Sequence, residues 1–483
     1  MSTDVMKRDY SLVGPEAEHA RETGLADAEW FMPTIDPALL RELQTRSDRR
    51  AAIDTVLWLS ALVGAGVLAW VALGTWWAIP AFALYGALYG GAADARWHEH
   101  GHGTAFRTGW LNEAVYYVAC FMLWRGPTVW RWSHHRHHTD TIIVGRDAEI
   151  LFERPPDVAR TVFAFTHLQG GPLMFWRLCK HAVGRIDDEA RDFVPASELR
   201  RVVWESRVIV GITAAVGLWS LITWSIVPLL FIGLPTIYGA WLMVFFGLTQ
   251  HAGLREDVLD HRLNTRTVKM NPLFRFLYLN MNYHVEHHIF PSVPYRALPK
   301  LHEAIADQLA PALPNTLVAY REIFSTLARQ SHDPNYEIPL EVPEVTGATP
   351  ERIHVGEEHW ARGDRAADLG ALEDLAVGEL RRVDVGDETY VLCRISDDQV
   401  ALADGLCTHG EVHLCDGAII DGQIECPKHN GRFDVVTGAA TRKPVREALG
   451  VYDIAVEGGR ITTRFRRRAL APDRVASKET ARP

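Results

Sequence analysis

Histidine and cysteine stand in this chain at the spacings metal ligands use. Three clusters hold most of the candidates: His98-Glu99-His100-Gly101-His102, His134-His135-Arg136-His137-His138 and His284-Val285-Glu286-His287-His288; His251 follows in Thr249-Gln250-His251-Ala252-Gly253. On a helix, positions i, i+3 and i+4 share a face, so His98 joins His102, His134 joins His137 and His138, and His284 joins His287 and His288. His100 and His135 point elsewhere and are weaker candidates. With His251 the set numbers nine imidazoles. Neutral imidazole suits iron, zinc, copper and nickel, and so many rings exceed what one ion takes, so the pattern calls for two metal ions. The solitary His167, His181 and His261 read as solvated or hydrogen-bonded side chains.

A second motif lies far downstream. Cys407-Thr408-His409 is followed, after sixteen residues, by Cys426-Pro427-Lys428-His429. A zinc site could use the same donors, but zinc-finger spacing pairs Cys with Cys and His with His. Two Cys on one iron and two His on the other is the Rieske [2Fe-2S] arrangement, with Cys407, Cys426, His409 and His429 as its ligands. Cys120, Cys179, Cys393 and Cys415 lack ligand spacing and read as packing residues. A redox cluster in the same chain selects iron, acting with O2, for the histidine sites.

These residues need elements to hold them. From Thr55 to Ala93 there are 39 residues, and from Val208 to Leu254 another 47, without one Asp, Glu, Lys or Arg. A bilayer span takes about 20 apolar residues, so each run is long enough to cross twice. Four transmembrane helices are expected, near 55–73, 76–95, 207–224 and 227–248. Arg46, Arg49, Arg50, Arg96, Arg200, Arg201, Arg207 and Arg255 all flank them on one side, which the positive-inside rule makes cytoplasmic. All three boxes and His251 then face the cytoplasm. Trp110 to Trp124 reads as an interfacial or buried helix, and Trp97, Trp110, Trp130 and Trp132 as interfacial anchors. The mean hydropathy of -0.05 over 483 residues averages this half with a polar remainder. A net charge of -10 argues against a nucleic-acid partner. Residues 1–50 read as a cytosolic lead-in, 51–330 as the membrane domain, 331–370 as a Pro-rich charged linker, 371–467 as a small all-β domain and 468–483 as a tail. The fold class is thus multi-domain, an α-helical integral membrane domain followed by an all-β one.

The boxes HxxxH, HxxHH and HxxHH resemble those of the membrane fatty acid desaturase and hydroxylase superfamily over residues 50 to 310, with NYHVEHHIFPSVPYRALPKLH the most specific stretch. The resemblance implies two non-haem iron ions that activate O2 against an unactivated C–H bond. It also implies that His98, His102, His134, His137, His138, His251, His284, His287 and His288 are their ligands. Residues 371–465, including ECPKHNGRFDVVTG and the Pro444 loop, resemble the Rieske ferredoxins of bacterial oxygenase systems. The respiratory-chain type has an extra Cys in each loop, where this chain has Val412 or a neighbour and Lys428, so no disulfide between the loops is expected. Asp140, Arg146, Asp147 and Glu149, and also Asn282, read equally well as groups that orient the imidazoles and as ordinary polar residues.

The implied reaction needs two external electrons, and a [2Fe-2S] cluster passes one at a time. The fused domain reads as a built-in donor fed by a separate NAD(P)H-dependent ferredoxin reductase, since no flavin or nicotinamide motif is visible. Desaturation or hydroxylation of a lipid-like substrate is one expectation, in a bacterial-type inner membrane and among membrane lipid. The chain is also similar to the desaturase-like oxygenase and Rieske ferredoxin pair of rhizopine catabolism, which implies O-demethylation of a small polar methyl ether such as a cyclitol. A third reading is a membrane-anchored electron carrier without its own chemistry.

Overall fold

The computed structural model describes residues 8–468 except 27–29, 345–351, 357–365, 387, 411, 428–429 and 444. The chain divides into a helical unit, Met1–Ile35 with Glu42–Val345, and a β unit, Asp36–Arg41 with Thr346–Pro483.

In the helical unit, Asp48–Val71 and Ala196–Ile222 are long and apolar enough to cross a bilayer, with hydropathies of 1.8 and 1.4. Both carry outward-facing apolar side chains, among them Val63, Val67 and Trp70 on the first and Val208, Leu218 and Trp219 on the second. The segments that return from them are broken. The second runs as Ala78–Gly86, a π-turn over Ala87–Gly91, and Ala92–His102; the fourth runs as Val227–Phe231, Pro235–Tyr238 and Trp241–His251. Two continuous candidate spans are therefore present among the described residues, against the four expected. At these breaks the two return legs cross at glycine. A Cβ on Gly239 would lie 1.9 Å from the Gly86 carbonyl oxygen, and one on Gly90 would lie 2.6 Å from that of Pro235. Backbones this close need bare glycine, and a widened π-turn often accompanies such a departure from the regular ladder.

The crossing helps seat the boxes. Ala92–His102 carries the first, Pro127–Thr139 the second, His284–Ile289 the third, and Trp241–His251 ends on His251. Arg96, buried beneath the first box, donates to the carbonyls of Ala92 (3.0 Å), Phe276 (3.1 Å) and Leu277, tying box one to the chain leading into box three. The six-residue helix of box three is too short to hold itself. Glu286 within it accepts from Thr267 (2.6 Å) and pairs with His302, and a bridge joins Thr267 to Tyr283. Gly109–Met122 is the helix expected at 110–124, with Asn112, Tyr116 and Cys120 buried. Residues after the helix Thr316–Gln330, expected to begin a linker, are held on the helical unit. Pro334 and Pro343 accept from Arg154 (3.2 Å) and Arg262 (3.0 Å), and Glu337 pairs with Arg255 (2.9 Å).

The β unit contains β1 (Ile353–Val355), β2 (Ala367–Ala371), β3 (Leu380–Val385), β4 (Glu388–Ser396), β5 (Gln399–Asp404), β6 (Ala418–Ile420), β7 (Gln423–Glu425), β8 (Arg432–Asp434), β9 (Ala440–Arg442), β10 (Val451–Glu457) and β11 (Arg460–Arg467). One sheet has the order β1-β3-β4-β5-β10-β11-β2, the other β6-β7-β8-β9. Val391, Ala403, Leu414, Ile424 and Phe433 pack a core that also takes in Cys407 and Cys426. This is the all-β texture expected from the short alternating runs.

Candidate metal centre

The nine histidines come together as two sets that the sequence order does not announce. His98, His102, His134, His138 and His287 form one; His137, His251, His284 and His288 form the other, and within each set the ligand atoms lie within 4.8 Å of one another. Every box is split except the first: neighbours His137 and His138 go to different sets, as do His287 and His288. The sets abut, with the rings of His138 and His288 stacked at 4.3 Å. His100 and His135 stay outside, His100 facing Asn112 at 3.2 Å and His135 lying against Trp132.

Hydrogen-bond partners fix which nitrogen faces inward. His251 Nδ1 lies 2.8 Å from the Asn264 carbonyl, which only accepts, so Nδ1 carries the proton and Nε2 a lone pair. The Thr141 hydroxyl donates to the His137 carbonyl (2.6 Å), so His288 Nδ1 donates to its oxygen (3.2 Å). His137 Nδ1 meets Asp147 at 2.8 Å, and His134 Nδ1 meets Glu149 at 3.3 Å. The Nε2 atoms then crowd together. His284 lies 3.1 Å from both His251 and His288, and His134 lies 3.0 Å from His102 and 3.2 Å from His138. Lone pairs converging this closely, with too few protons to bridge them, suit cations at both sets. His98, buried, has neither ring nitrogen hydrogen-bonded among the described residues, as fits a metal ligand.

Burial, then neighbouring imidazoles, hold His98, His134, His138, His284, His287 and His288 well below the ordinary histidine range, and His251 at about 3. They are neutral donors at pH 7. For His137 burial acts in the same direction, but the Asp147 carboxylate outweighs it and the pKa is raised. Burial lifts Glu149 to about 7.

Of the polar residues around box two, Asp147 and Glu149 touch imidazoles, whereas Asp140 pairs with Arg136 (2.6 Å) and Arg146 (3.1 Å). Asn282 serves the backbone, donating to the Val268 carbonyl at 2.9 Å. Thr141 and the Asn264 carbonyl were not signalled by the sequence, because a hydroxyl and a main-chain oxygen in a turn carry no motif. The tryptophans correct another expectation. Trp110 is exposed, but Trp97 and Trp132 are buried, and Trp130 packs with Trp97 around Arg125.

In the β unit, Cys407 follows β5 and Cys426 follows β7. Each begins a tight loop: Cys407 N donates to the Val412 carbonyl (2.9 Å), and Cys426 N to that of Gly431 (2.8 Å). A hydrogen bond with the Cys426 thiol, helped by the N–H groups of His409 and Gly410, lowers the Cys407 pKa against burial, as a thiolate ligand requires. Burial, then Arg446, brings His409 down to about 4. The two sulfurs and His409 fit a [2Fe-2S] cluster in donor type; His429, Lys428 and Pro444 lie outside the described residues. None of the six cysteines is in a disulfide. Cys393 and Cys120 are buried in packing.

Residues 74–320 match the fatty acid desaturase family and residues 366–453 the Rieske [2Fe-2S] domain. The chain belongs to the fatty acid desaturase family and carries a C-terminal Rieske domain. Over 94 residues it is 36% identical to the ferredoxin component of the naphthalene 1,2-dioxygenase system of Pseudomonas aeruginosa, covering 20% of this chain and 89% of that protein. It is also 36% identical over 93 residues to the anthranilate 1,2-dioxygenase ferredoxin subunit of Burkholderia cepacia, covering 19% and 85%. Among solved structures it is similar to the ferredoxin of carbazole 1,9a-dioxygenase from Nocardioides aromaticivorans IC177, with 34% identity over 20% of this chain and 95% of that chain and a TM-score of 0.20. Family and domain together make the protein an oxidoreductase with an iron-sulfur electron carrier and a histidine-rich metal site.

Proposed function

We propose that the protein is an O2-dependent membrane di-iron oxygenase that oxidises an unactivated C–H bond with electrons from its own Rieske domain. The division of nine imidazoles, eight buried and His251 partly so, into a five-ring and a four-ring set carries this reading. Iron held there supplies reductive activation of O2 toward a C–H bond. His98, His102, His134, His138 and His287 would hold one ion and His137, His251, His284 and His288 the other. Asp147, Glu149, Thr141 and the Asn264 carbonyl hold the Nδ1 protons, keeping Nε2 directed inward and making the rings better donors. Burial keeps bulk water from the rings.

Cys407 and Cys426 would hold one iron of the cluster, and His409 and His429 the other. A separate NAD(P)H-dependent ferredoxin reductase would reduce it one electron at a time. Fusion in one chain raises the local donor concentration to about the millimolar range. The protein would lie in a bacterial-type inner membrane as a multi-pass protein, with boxes and Rieske domain on the cytoplasmic side.

A lipid-like chain and a small polar methyl ether are both substrates for this chemistry, since hydroxylating a methoxy carbon gives a hemiacetal that loses formaldehyde. The test is turnover by reductase-coupled protein, scored for acyl oxidation and for formaldehyde. His287→Ala and Cys407→Ala should each abolish it. An unaffected His287→Ala variant would instead mark an electron carrier without chemistry of its own.

A further inference from the structure

A third charge-free run, the 16 residues from Thr161 to Trp176, lies between the second box and the helix Ala196–Ile222 and is too short to cross a bilayer. It falls within two helices, Val158–Ala164 and Gly170–Ala182, and the tight turn that joins them. His167 takes a left-handed φ of 52° in the turn. Its ring sits against Gly170 and Gly171, where added Cβ atoms would come within 2.9 and 3.1 Å of it. The imidazole is thereby buried, while Leu168 beside it stays 59% exposed. The N–H groups of Thr166, His167 and Gly171 donate to the carbonyls of Phe163, Ala164 and His167, so the turn holds its own donors.

The segment runs along the apolar body of the helical unit. At the end of Gly170–Ala182, the Ala182 carbonyl accepts from Arg207 (2.8 Å), the residue just before the second charge-free run. Phe175 and Leu178 pack with Trp124, Ile209 and Ile237. A Cβ on Gly171 would lie 3.0 Å from Ile237, midway along the return leg. On the other side of the turn, Phe165 packs with Val244 and Leu248, nearer the end of that leg. Twelve helical steps separate Gly170 from Ala182 by about 18 Å, against a hydrocarbon core of about 30 Å. Val162, Phe163, Leu168, Leu173 and Trp176 face outward. They extend the outward apolar face of Ala196–Ile222, beside which Gly170–Ala182 packs. Arg160 and Lys180 stand toward the two free ends of the segment, where headgroup phosphates suit them.

We infer that Val158–Ala182 is a re-entrant element: it enters the cytoplasmic leaflet, turns back at His167 and Leu168, and has its outward face covered by lipid acyl chains. This rests on the membrane placement proposed above and adds a third immersed element to it. So large an exposed apolar face calls for a partner, and its continuity with the long apolar helix makes that partner lipid. A turn at membrane depth is tolerated where it is packed on protein and its donors are bonded, as this one is. The inner face braces the helix that ends on His251, through Phe165.

The test uses full-length wild-type protein in nanodiscs of phosphatidylcholine and phosphatidylglycerol, doped with a phosphatidylcholine that carries a diazirine in its acyl chain. Light expels N2, and the carbene inserts into C–H bonds of whatever touches the chain; tandem mass spectrometry locates the adducts. Yields at Leu168, Leu173 and Trp176 should come within about threefold of those at Val63 and Val67 on the first long helix. They should stand about tenfold above the yield at Val13, which is as exposed as Leu168 but lies in a charged segment. Moving the diazirine from mid-chain to beside the carbonyl should lower the yield at Leu168 relative to that at Trp176. A ratio indifferent to that depth would mean a segment lying flat in the interface and would overturn the inference. So would labelling of Val63 and Val67 with only Val13-like yields at Leu168, Leu173 and Trp176, since protein would then cover that face; the membrane placement would survive. Background yields at all of these positions would defeat both.

Discussion

At the scale of single residues, the orientation of each imidazole depends on what its outer nitrogen touches. Asp147 accepts from His137 Nδ1 and from two backbone N–H groups, those of Ile142 and Glu149, each at 2.8 Å. Asp147→Asn should weaken iron retention about 10–100-fold, measured as iron lost to a chelator over time. Asp140→Asn, whose carboxylate pairs with Arg136 and Arg146, should leave retention near the wild-type rate; equal losses in the two would remove the orienting role. Eight of the nine candidate rings were legible from i, i+3 and i+4 spacing, and His251 from its place just past the second charge-free run's last apolar stretch. Their partition was not, because neighbours such as His137 and His138 diverge by a fraction of a turn, and only the tertiary fold decides which ion each meets.

At the scale of elements, the glycine crossing brings together the two segments that end in the first box and in His251. A side chain at Gly239 must displace the Gly86 backbone. Gly239→Val should cost about 1–3 kcal/mol and shift Ala92–His102 together with Trp241–His251, so iron loading should fall with stability. Gly64, with nothing near its Cβ position, is the control, and Gly64→Val should leave both unchanged. Thermal unfolding and iron content of the two variants in detergent check this. Charge-free runs predicted the outer helices well. The interruptions in their return legs were harder to read, since Gly86, Gly90 and Gly239 look like ordinary small residues in an apolar run until the partner backbone is in place.

At the scale of the whole molecule, the cost of burying so many imidazoles should show as acid sensitivity. The enclosed rings stay neutral far below 6.5, His251 to about 3, whereas in the unfolded chain they take up protons from about pH 6.5 downward. The unfolded state then binds more protons, so the iron-free protein loses stability as pH falls through 6.5, by up to about 1.4 kcal/mol per ring per pH unit. His137, with its raised pKa, works in the opposite direction but is one ring against seven. The unfolding midpoint of iron-free protein should drop steeply between pH 7 and pH 5; a flat profile would mean that the rings are hydrated. The C-terminal unit was readable almost entirely from C-x-H and C-x-x-H, since a cluster on two loops sets its own spacing.

The central claim is that the histidine array holds a pair of iron ions distinct from the Rieske cluster. Mössbauer spectroscopy of 57Fe-loaded full-length protein tests it most directly. About four iron per chain are predicted, half as a [2Fe-2S] cluster with labile sulfide and half as high-spin iron in a nitrogen-rich environment. His287→Ala should diminish only the second half, and Cys407→Ala only the first. A wild-type spectrum with iron in the Rieske cluster alone would contradict the account.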